Sequence, residues 1–162
     1  MSQTWIVDGH NVIHARPDLQ KLLRDDSTGA SAQRVLIEQI RIFADFGSAG
    51  VKVAFDSGHL KSLSEKWQER QRSRGVEIHY GSAEEQADTI IERWVVACSD
   101  PSKVFVVTED RAIRHVIEAA GAFSVSVQEF TQRRAALEVQ QSRMLKNQNA
   151  RAADDFRNGL PL

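Results

Sequence analysis

The sequence lacks the features that mark membrane, secreted and disulfide-rich proteins. Its single cysteine, Cys98, excludes an internal disulfide and a cysteine-based zinc cluster. No apolar run approaches the roughly 18 residues that suggest a membrane span. The first residues, Met-Ser-Gln-Thr, also lack the basic segment of a secretory signal. We therefore expect a cytoplasmic protein that makes no membrane contact.

The chain also lacks an excess of either charge, because 21 Lys and Arg residues oppose 22 Asp and Glu residues. This balance argues against nucleic-acid binding through overall basicity, but it leaves room for local basic patches. Residues 61–74 form such a patch, in which we expect Trp67 to pack rather than to stack on a base. We predict that RNA phosphates contact Lys66, Arg70, Arg72, Arg74 and, further along the chain, Arg111.

Several signatures of catalysis are absent as well. The sequence has no glycine-rich phosphate loop, no dinucleotide-binding fingerprint and no serine in a nucleophile elbow. His10 and His14 have a spacing that suits zinc on a helix, but no third histidine lies nearby. Cys98 lies on an apolar helix face, which favours a packed thiol over a nucleophile.

Apolar runs alternate with segments of helical periodicity along the chain. We predict strands at about residues 4–8, 51–56, 76–80, 103–108 and 123–127. We predict helices at 17–23, 31–46 and 110–120, and two more that begin at the capping-box patterns Ser82–Glu85 and Ser126–Glu129. Residues 60–74 are compatible with a helix or a loop. The alternation predicts an α/β fold with a parallel sheet and helices on both faces.

One domain accounts for most of the length. We place it at residues 1–147, including a C-terminal helix on which Phe130, Leu137 and Met144 are spaced seven residues apart. The remaining residues, 148–162, are polar, and we expect them to form a flexible tail.

Acidic residues follow the predicted strands. Asp8 and Asp56 end the first and second strands, Asp110 follows the fourth, and Asp88 lies at the border of a buried helix face. Right-handed crossovers bring the carboxyl ends of parallel strands to one edge of the sheet, so these acids are expected to meet there. Clustered carboxylates repel one another unless a cation neutralises them.

All-oxygen ligation favours Mg²⁺ or Mn²⁺, which orients a phosphate and activates water for in-line attack on phosphorus. Asn11, after the Gly9 turn, is suited to hold a carboxylate or a water molecule. Each residue also has a purely structural interpretation, because Asp and Asn are common in turns and at helix N-caps. Asp110 in particular suits a helix N-terminus.

The motif Asp8-Gly9-His10-Asn11 resembles the NYN domains, specifically the YacP-like branch of the PIN-like nuclease superfamily. The resemblance covers about residues 4–130 and is carried further by Val-Ala-Phe-Asp at 53–56, by Glu85-Gln86-Ala87-Asp88 with Ile91-Glu92-Arg93, and by residues 106–111. It implies a single-domain PIN-like, Rossmann-like fold and a metal-dependent endoribonuclease that cleaves single-stranded RNA such as mRNA. By position, Asp8, Asp88 and Asp110 match the metal-binding acids and Asn11 their polar partner, while Asp56 and Glu85 match further acids.

Two positions depart from the family pattern. His10 stands where tyrosine is usual, and Glu109 stands where a small residue, often serine, is usual. We expect Glu109 to add a charge near the metal. Helical geometry favours Glu84 as an extra ligand, whereas the family match favours Glu85, and both assignments remain open.

Three functions are compatible with these observations. The first is an endoribonuclease dependent on Mg²⁺ or Mn²⁺, with RNA as partner and the ribosome as a second candidate partner. The second is a non-catalytic RNA-binding or ribosome-associated module. The third is a receiver domain with Asp56 as phosphoacceptor, which is disfavoured because Asp8 has no acidic neighbour and no lysine follows the fifth strand.

Overall fold

A computed structural model describes residues 3–47, 50–56 and 63–159, and its core is a five-stranded parallel sheet. The strands are β1 (Thr4–Asp8), β2 (Gly50–Phe55), β3 (Val76–Tyr80), β4 (Val104–Val107) and β5 (Phe123–Val125). Their order across the sheet is β3-β2-β1-β4-β5. The predicted parallel α/β architecture is therefore confirmed, and each predicted strand is found within two residues of its expected ends.

Seven α-helices connect and cover the strands in the described part of the chain. They are α1 (Gly9–Ala15), α2 (Pro17–Asp25), α3 (Ala30–Gly47), α4 (Glu65–Ser73), α5 (Ala87–Ala97), α6 (Arg111–Ala119) and α7 (Val127–Arg157). The sequence did not predict α1, which begins immediately after β1 because the Asp8 carboxylate caps it. The predicted turn at Ser57–Gly58, together with His59 and Lys61, lies outside the described residues.

The two faces of the sheet bury separate apolar clusters, because alternate side chains of each strand point to opposite faces. On one face Val7, Val53 and Val107 pack with the apolar residues of α1, α3 and α7. On the other face Ile6 and Val106 pack with α5 and α6. This arrangement confirms the prediction of helices on both faces.

The strand order reverses at the centre of the sheet. The chain proceeds outward from β1 to β2 and β3, and then returns to place β4 and β5 on the other side of β1. In open α/β sheets, a crevice forms at the carboxyl ends of the strands where the order reverses. The ends are level here, since Asp8 pairs with Ala54 and Val7 with Val107.

The two capping-box predictions have different outcomes. Ser126 Oγ accepts a hydrogen bond from the Glu129 amide at 3.1 Å, and α7 begins there as expected. Ser82 Oγ likewise accepts from the Glu85 amide at 3.1 Å, but this pair closes a turn ahead of α5. The prediction that Ser82 starts the helix is therefore wrong, and α5 begins at Ala87.

The last helix is longer than expected. Over its 31 residues, α7 continues through the predicted polar tail to Arg157. Residues 148–157 contain no glycine or proline and several alanines, the strongest helix former. The division into a domain at 1–147 and a tail stays a prediction. Within the described residues, no helix combines the length and apolar character needed to cross a membrane.

Candidate active site

Four aspartates line one cavity of about 500 Å³ at the carboxyl ends of the strands. The wall is formed by Asp8, Asn11, Asp56, Gln86, Ala87, Asp88, Asp110 and Ile113. None of these lining residues is basic. The structure thus brings together four predicted acids and Asn11, which come from strand ends and helix starts far apart in the sequence.

Asp8 is the buried member of this group, with 5% of its surface exposed. It caps α1, and its Oδ1 accepts a hydrogen bond from the Asn11 amide at 3.3 Å. Burial, opposed by the hydrogen bond from the Asn11 amide and reinforced by the charges of Asp56, Asp110 and Asp88, raises the pKa of Asp8 to about 6. The cavity is therefore an electrostatically strained site that favours a bound cation.

Each of the other three aspartates also accepts a backbone amide through Oδ1. Asp56 accepts from Ala87 at 3.1 Å, Asp88 from Thr89 at 2.8 Å, and Asp110 from Ala112 at 2.8 Å. Asp56 and Asp110 therefore cap α5 and α6 while they line the cavity. In all four residues, Oδ2 accepts no hydrogen bond from the described chain, so it is available to a ligand.

The loop that carries Asp110 is held by polar contacts from several elements. Asn11 Oδ1 accepts a hydrogen bond from the Glu109 amide at 2.7 Å, and Thr108 Oγ1 accepts from the Asp110 amide at 3.1 Å. Arg114 donates from Nη2 to the Thr108 carbonyl at 3.0 Å. Asn11 thus fixes a neighbouring loop rather than a carboxylate. Sequence reasoning missed Thr108, and no local signal distinguishes it from other strand residues.

Glu109 does not add its charge to the acidic cavity, so that expectation is wrong. Its Oε1 accepts a hydrogen bond from the Val127 amide at 2.7 Å, and its Oε2 lies 3.3 Å from Arg114 Nη2. The side chain lies in the wall of a neighbouring cavity. Its carboxylate therefore supports the start of α7 and pairs with a nearby guanidinium.

Glu84 and Glu85, the two alternative acidic ligands, do not line the cavity. Glu85 forms an ion pair with Arg93, and Glu84 is exposed in the turn ahead of α5. Neither residue lines the wall around Asp88. A metal-binding role for Glu85 thus stays a prediction, without geometric support.

The predicted RNA-contacting residues are exposed, but they are divided between α4, the turn after it and the start of α6. The helix α4 runs back along β3, and the Gly75 carbonyl after it accepts from the Val51 amide at the start of β2. Arg70, Arg72 and Arg74 therefore belong to the last turn of α4 and its C-cap, which lead into the amino end of β3. Lys66, in the first turn of α4, and Arg111, next to Asp110, are the two nearer the site edge. Trp67 packs against α3 as expected, with Arg34 Cζ 5.5 Å from its ring centroid.

The acids suit a hydrated ion better than a fully protein-ligated one. Within the described residues, no three His, Cys, Asp or Glu side chains are close enough to hold one metal ion, so His10 and His14 have no third such ligand among them. Mg²⁺ commonly binds one or two carboxylates directly and keeps several waters. An acidic cavity with no basic wall residue, in which the Oδ2 atoms accept no hydrogen bond from the described chain, fits that mode.

Comparisons with known proteins agree with this geometry. The family model of the YacP-like NYN domain matches residues 5–160. The crystal structure of Rae1 (YacP) from Bacillus subtilis is 25% identical, with 96% of this chain and 87% of that chain covered at a TM-score of 0.77. A point mutant of the same protein is 24% identical, with 90% and 82% covered at a TM-score of 0.73. No match is found among the curated proteins. The fold is thus of the nuclease type, and the chain belongs to the YacP-like NYN domain family.

Proposed function

We propose that this protein is a metal-dependent endoribonuclease that cleaves single-stranded RNA, including mRNA, in the cytoplasm. The observation that carries the proposal is the cavity lined by Asp8, Asp56, Asp88 and Asp110 at the reversal of strand order. Topology alone brings acids that follow parallel strands to one edge of the sheet, but four carboxylates in one cavity without a basic wall residue repel one another unless a cation neutralises them. The family is one of nuclease type, which supports the same conclusion.

We further propose Mg²⁺ or Mn²⁺ as the cofactor. Asp8, Asp88 and Asp110 would hold the ion, directly or through its waters, with Asp56 beside them. A bound divalent cation neutralises the carboxylates, polarises the phosphate and activates water for attack on phosphorus. Asn11 keeps the Asp110 loop in place through the Glu109 amide. Lys66 and Arg111 would attract the RNA backbone toward the site through their positive charge.

Substitution of the aspartates tests the proposal directly. Asp8→Asn, Asp88→Asn and Asp110→Asn keep the size of the side chain and one acceptor oxygen but remove its charge. We expect each variant to reduce cleavage of a defined, end-labelled single-stranded RNA in Mn²⁺ by at least about 100-fold, the scale reported for single electrostatic contributors to catalysis. Chelation of the cation should abolish cleavage by the wild-type protein.

The matched control is Asp45→Asn, an exposed aspartate in the last turn of α3, outside the acidic cavity. It should cleave at the wild-type rate. Wild-type cleavage by any of the three cavity variants after repurification, or cleavage that persists in chelator, would contradict the assignment.

One observation favours a second candidate, a non-catalytic RNA-binding or ribosome-associated module. No three acidic side chains of the described residues are placed to hold one ion directly. Binding of RNA without cleavage at saturating Mn²⁺ would support this alternative. A receiver domain with Asp56 as phosphoacceptor is disfavoured, because the family match covers nearly the whole chain and Asp56 caps α5.

A further inference from the structure

A second cavity, of about 370 Å³, opens beside the acidic one between the end of α1 and the start of α7. Its wall includes Ala15, Glu109, Val127, Gln128 and Gln132. Because Val127 follows the carboxyl end of β5, both cavities lie on the same edge of the sheet.

Only a narrow partition separates the two cavities. Asn11, in the wall of the acidic cavity, accepts a hydrogen bond at 2.7 Å from the amide of Glu109, whose side chain lines the second cavity. Asp110 follows Glu109 directly, and Ala15 lies one helical turn, about 6 Å, beyond Asn11. The cavities therefore share one partition, so a nucleotide whose phosphate lies at the first would have the second within reach of its base.

The charged groups of the second cavity are already engaged within the protein. Glu109 accepts from Val127 through one oxygen and pairs with Arg114 through the other. The Arg16 guanidinium donates to Asp18 and Gln39. A ligand that depends on a free charge in this wall, such as a phosphate or a carboxylate, is therefore disfavoured.

Two carboxamides in the same wall are free. Gln128 and Gln132 lie one turn apart on α7, both are exposed, and neither side chain forms a hydrogen bond with the described chain. A carboxamide offers a donor and an acceptor side by side, which matches the edge of a nucleobase. The characteristic pairing of a glutamine with a base edge is the two-hydrogen-bond contact with adenine N6 and N7.

We propose that this second cavity binds an unpaired nucleobase, adenine by preference, next to the phosphate held at the acidic cavity, and that Gln128 and Gln132 read it. The inference rests on the proposed function and deepens it, because it assigns a base preference to an RNA-cleaving site. It makes Gln128 and Gln132 specificity-determining residues rather than catalytic ones.

Binding of short RNAs tests this inference without relying on cleavage. Fluorescence anisotropy in Ca²⁺ would compare a labelled uridine decamer with the same decamer carrying one central adenosine. We expect the adenosine to tighten Kd for the wild-type protein about fivefold or more, the lower end of what one bidentate base contact supplies. In Gln128→Ala/Gln132→Ala this difference should disappear, while the Kd for the uridine decamer stays at the wild-type value.

The matched control is Gln140→Ala/Gln148→Ala, which removes two exposed glutamines of the same helix outside this cavity. It should keep the adenosine preference, and thermal unfolding should show all variants folded. The inference is overturned when adenosine has no effect on the wild-type protein, or when the preference survives in Gln128→Ala/Gln132→Ala. An adenosine preference without cleavage in Mn²⁺ would support the base site and contradict the proposed nuclease. Cleavage without an adenosine preference would support the nuclease and contradict the base site.

Discussion

Asp8, Asp56, Asp88 and Asp110 each divide their carboxylate between two tasks. One oxygen accepts a backbone amide, and the other accepts no hydrogen bond from the described chain. From the sequence, a helix cap and a ligand-binding residue were competing interpretations of each acid. In the structure the same carboxylate accepts a backbone amide and lines the cavity, because the helices begin at the sheet edge where the cavity opens, so the two interpretations are compatible.

Burial of Asp8 predicts a pH-dependent cost to stability. The folded-state pKa is raised to about 6 from the ordinary aspartate value of 3.8, so the folded state binds the proton more tightly than the unfolded state does. The free energy of unfolding therefore falls as pH rises from about 4 to about 6. Above that range the full destabilisation by the ionised Asp8 is present. Asp8→Asn should raise the metal-free free energy of unfolding at pH 7.5 by up to about 3 kcal/mol.

Urea unfolding in chelator at pH 7.5 and pH 4 measures this effect. The gain from Asp8→Asn should shrink toward zero at pH 4, and Asp45→Asn should show no such pH-dependent gain. A variant less stable than wild type at pH 7.5, or an equal difference at both pH values, would be inconsistent with a buried carboxylate of raised pKa.

The helices and strands were largely predictable from the sequence, because apolar periodicity is strong in β1, α3, α5 and α6. The misses have identifiable physical causes. The seven residues of α1 begin with Gly-His-Asn, which resembles a turn and is too short to show a periodic apolar face. The start of α5 depends on Asp56, which is 31 residues away from Ala87, and local patterns carry no information on such a contact.

The capping of α5 by Asp56 makes a testable prediction about this helix. Asp56→Ala removes the acceptor of the Ala87 amide, whereas Asp56→Asn keeps an acceptor at the same position. Both substitutions remove the charge, so their difference isolates the cap. We expect Asp56→Ala to be less stable than Asp56→Asn by about 0.5–2 kcal/mol in urea unfolding.

Hydrogen exchange provides an independent measure of the same contact. The amides of the first turn of α5, from Ala87 onward, should exchange faster in Asp56→Ala than in Asp56→Asn, while the amides of α6 should not differ. Equal exchange in the two variants would show that the Ala87 amide does not depend on this carboxylate.

At the scale of the whole molecule, the convergence of the acids follows from topology. Once the strands are parallel and the crossovers right-handed, Asp8, Asp56 and Asp110 must emerge at one edge of the sheet. Topology does not fix the separation between their oxygens, which depends on side-chain rotamers and on the helix caps. It also did not reveal that Glu109 supports α7, since that contact depends on how β5 leads into the helix.

A cation in the acidic cavity should stabilise the entire fold. A ligand that binds only the folded state at about 100 times its Kd adds about 2.7 kcal/mol to the free energy of unfolding. For a chain of this size, we expect Mn²⁺ or Mg²⁺ to raise Tm by about 5–10 °C. The shift should be largely lost in Asp8→Asn and in Asp88→Asn, and retained in Asp45→Asn.

Circular dichroism melts with and without the divalent cation check this expectation, with K⁺ at matched ionic strength as the control for screening. A Tm shift of equal size in wild type and Asp8→Asn would place the cation elsewhere on the surface. That measurement reports on the ion directly and does not require any cleavage.

The burial of Asp8 makes metal binding at this site depend on pH. Near pH 6 its carboxyl group is about half protonated in the folded state, so an arriving cation must displace that hydrogen ion into the solvent. Protons and the proposed metal ion would then compete for the same oxygen atoms. Below that pH, each tenfold increase in acidity weakens metal uptake by up to about tenfold for one displaced proton. Metal binding near pH 6 would therefore release a fraction of a proton per protein molecule into the solvent.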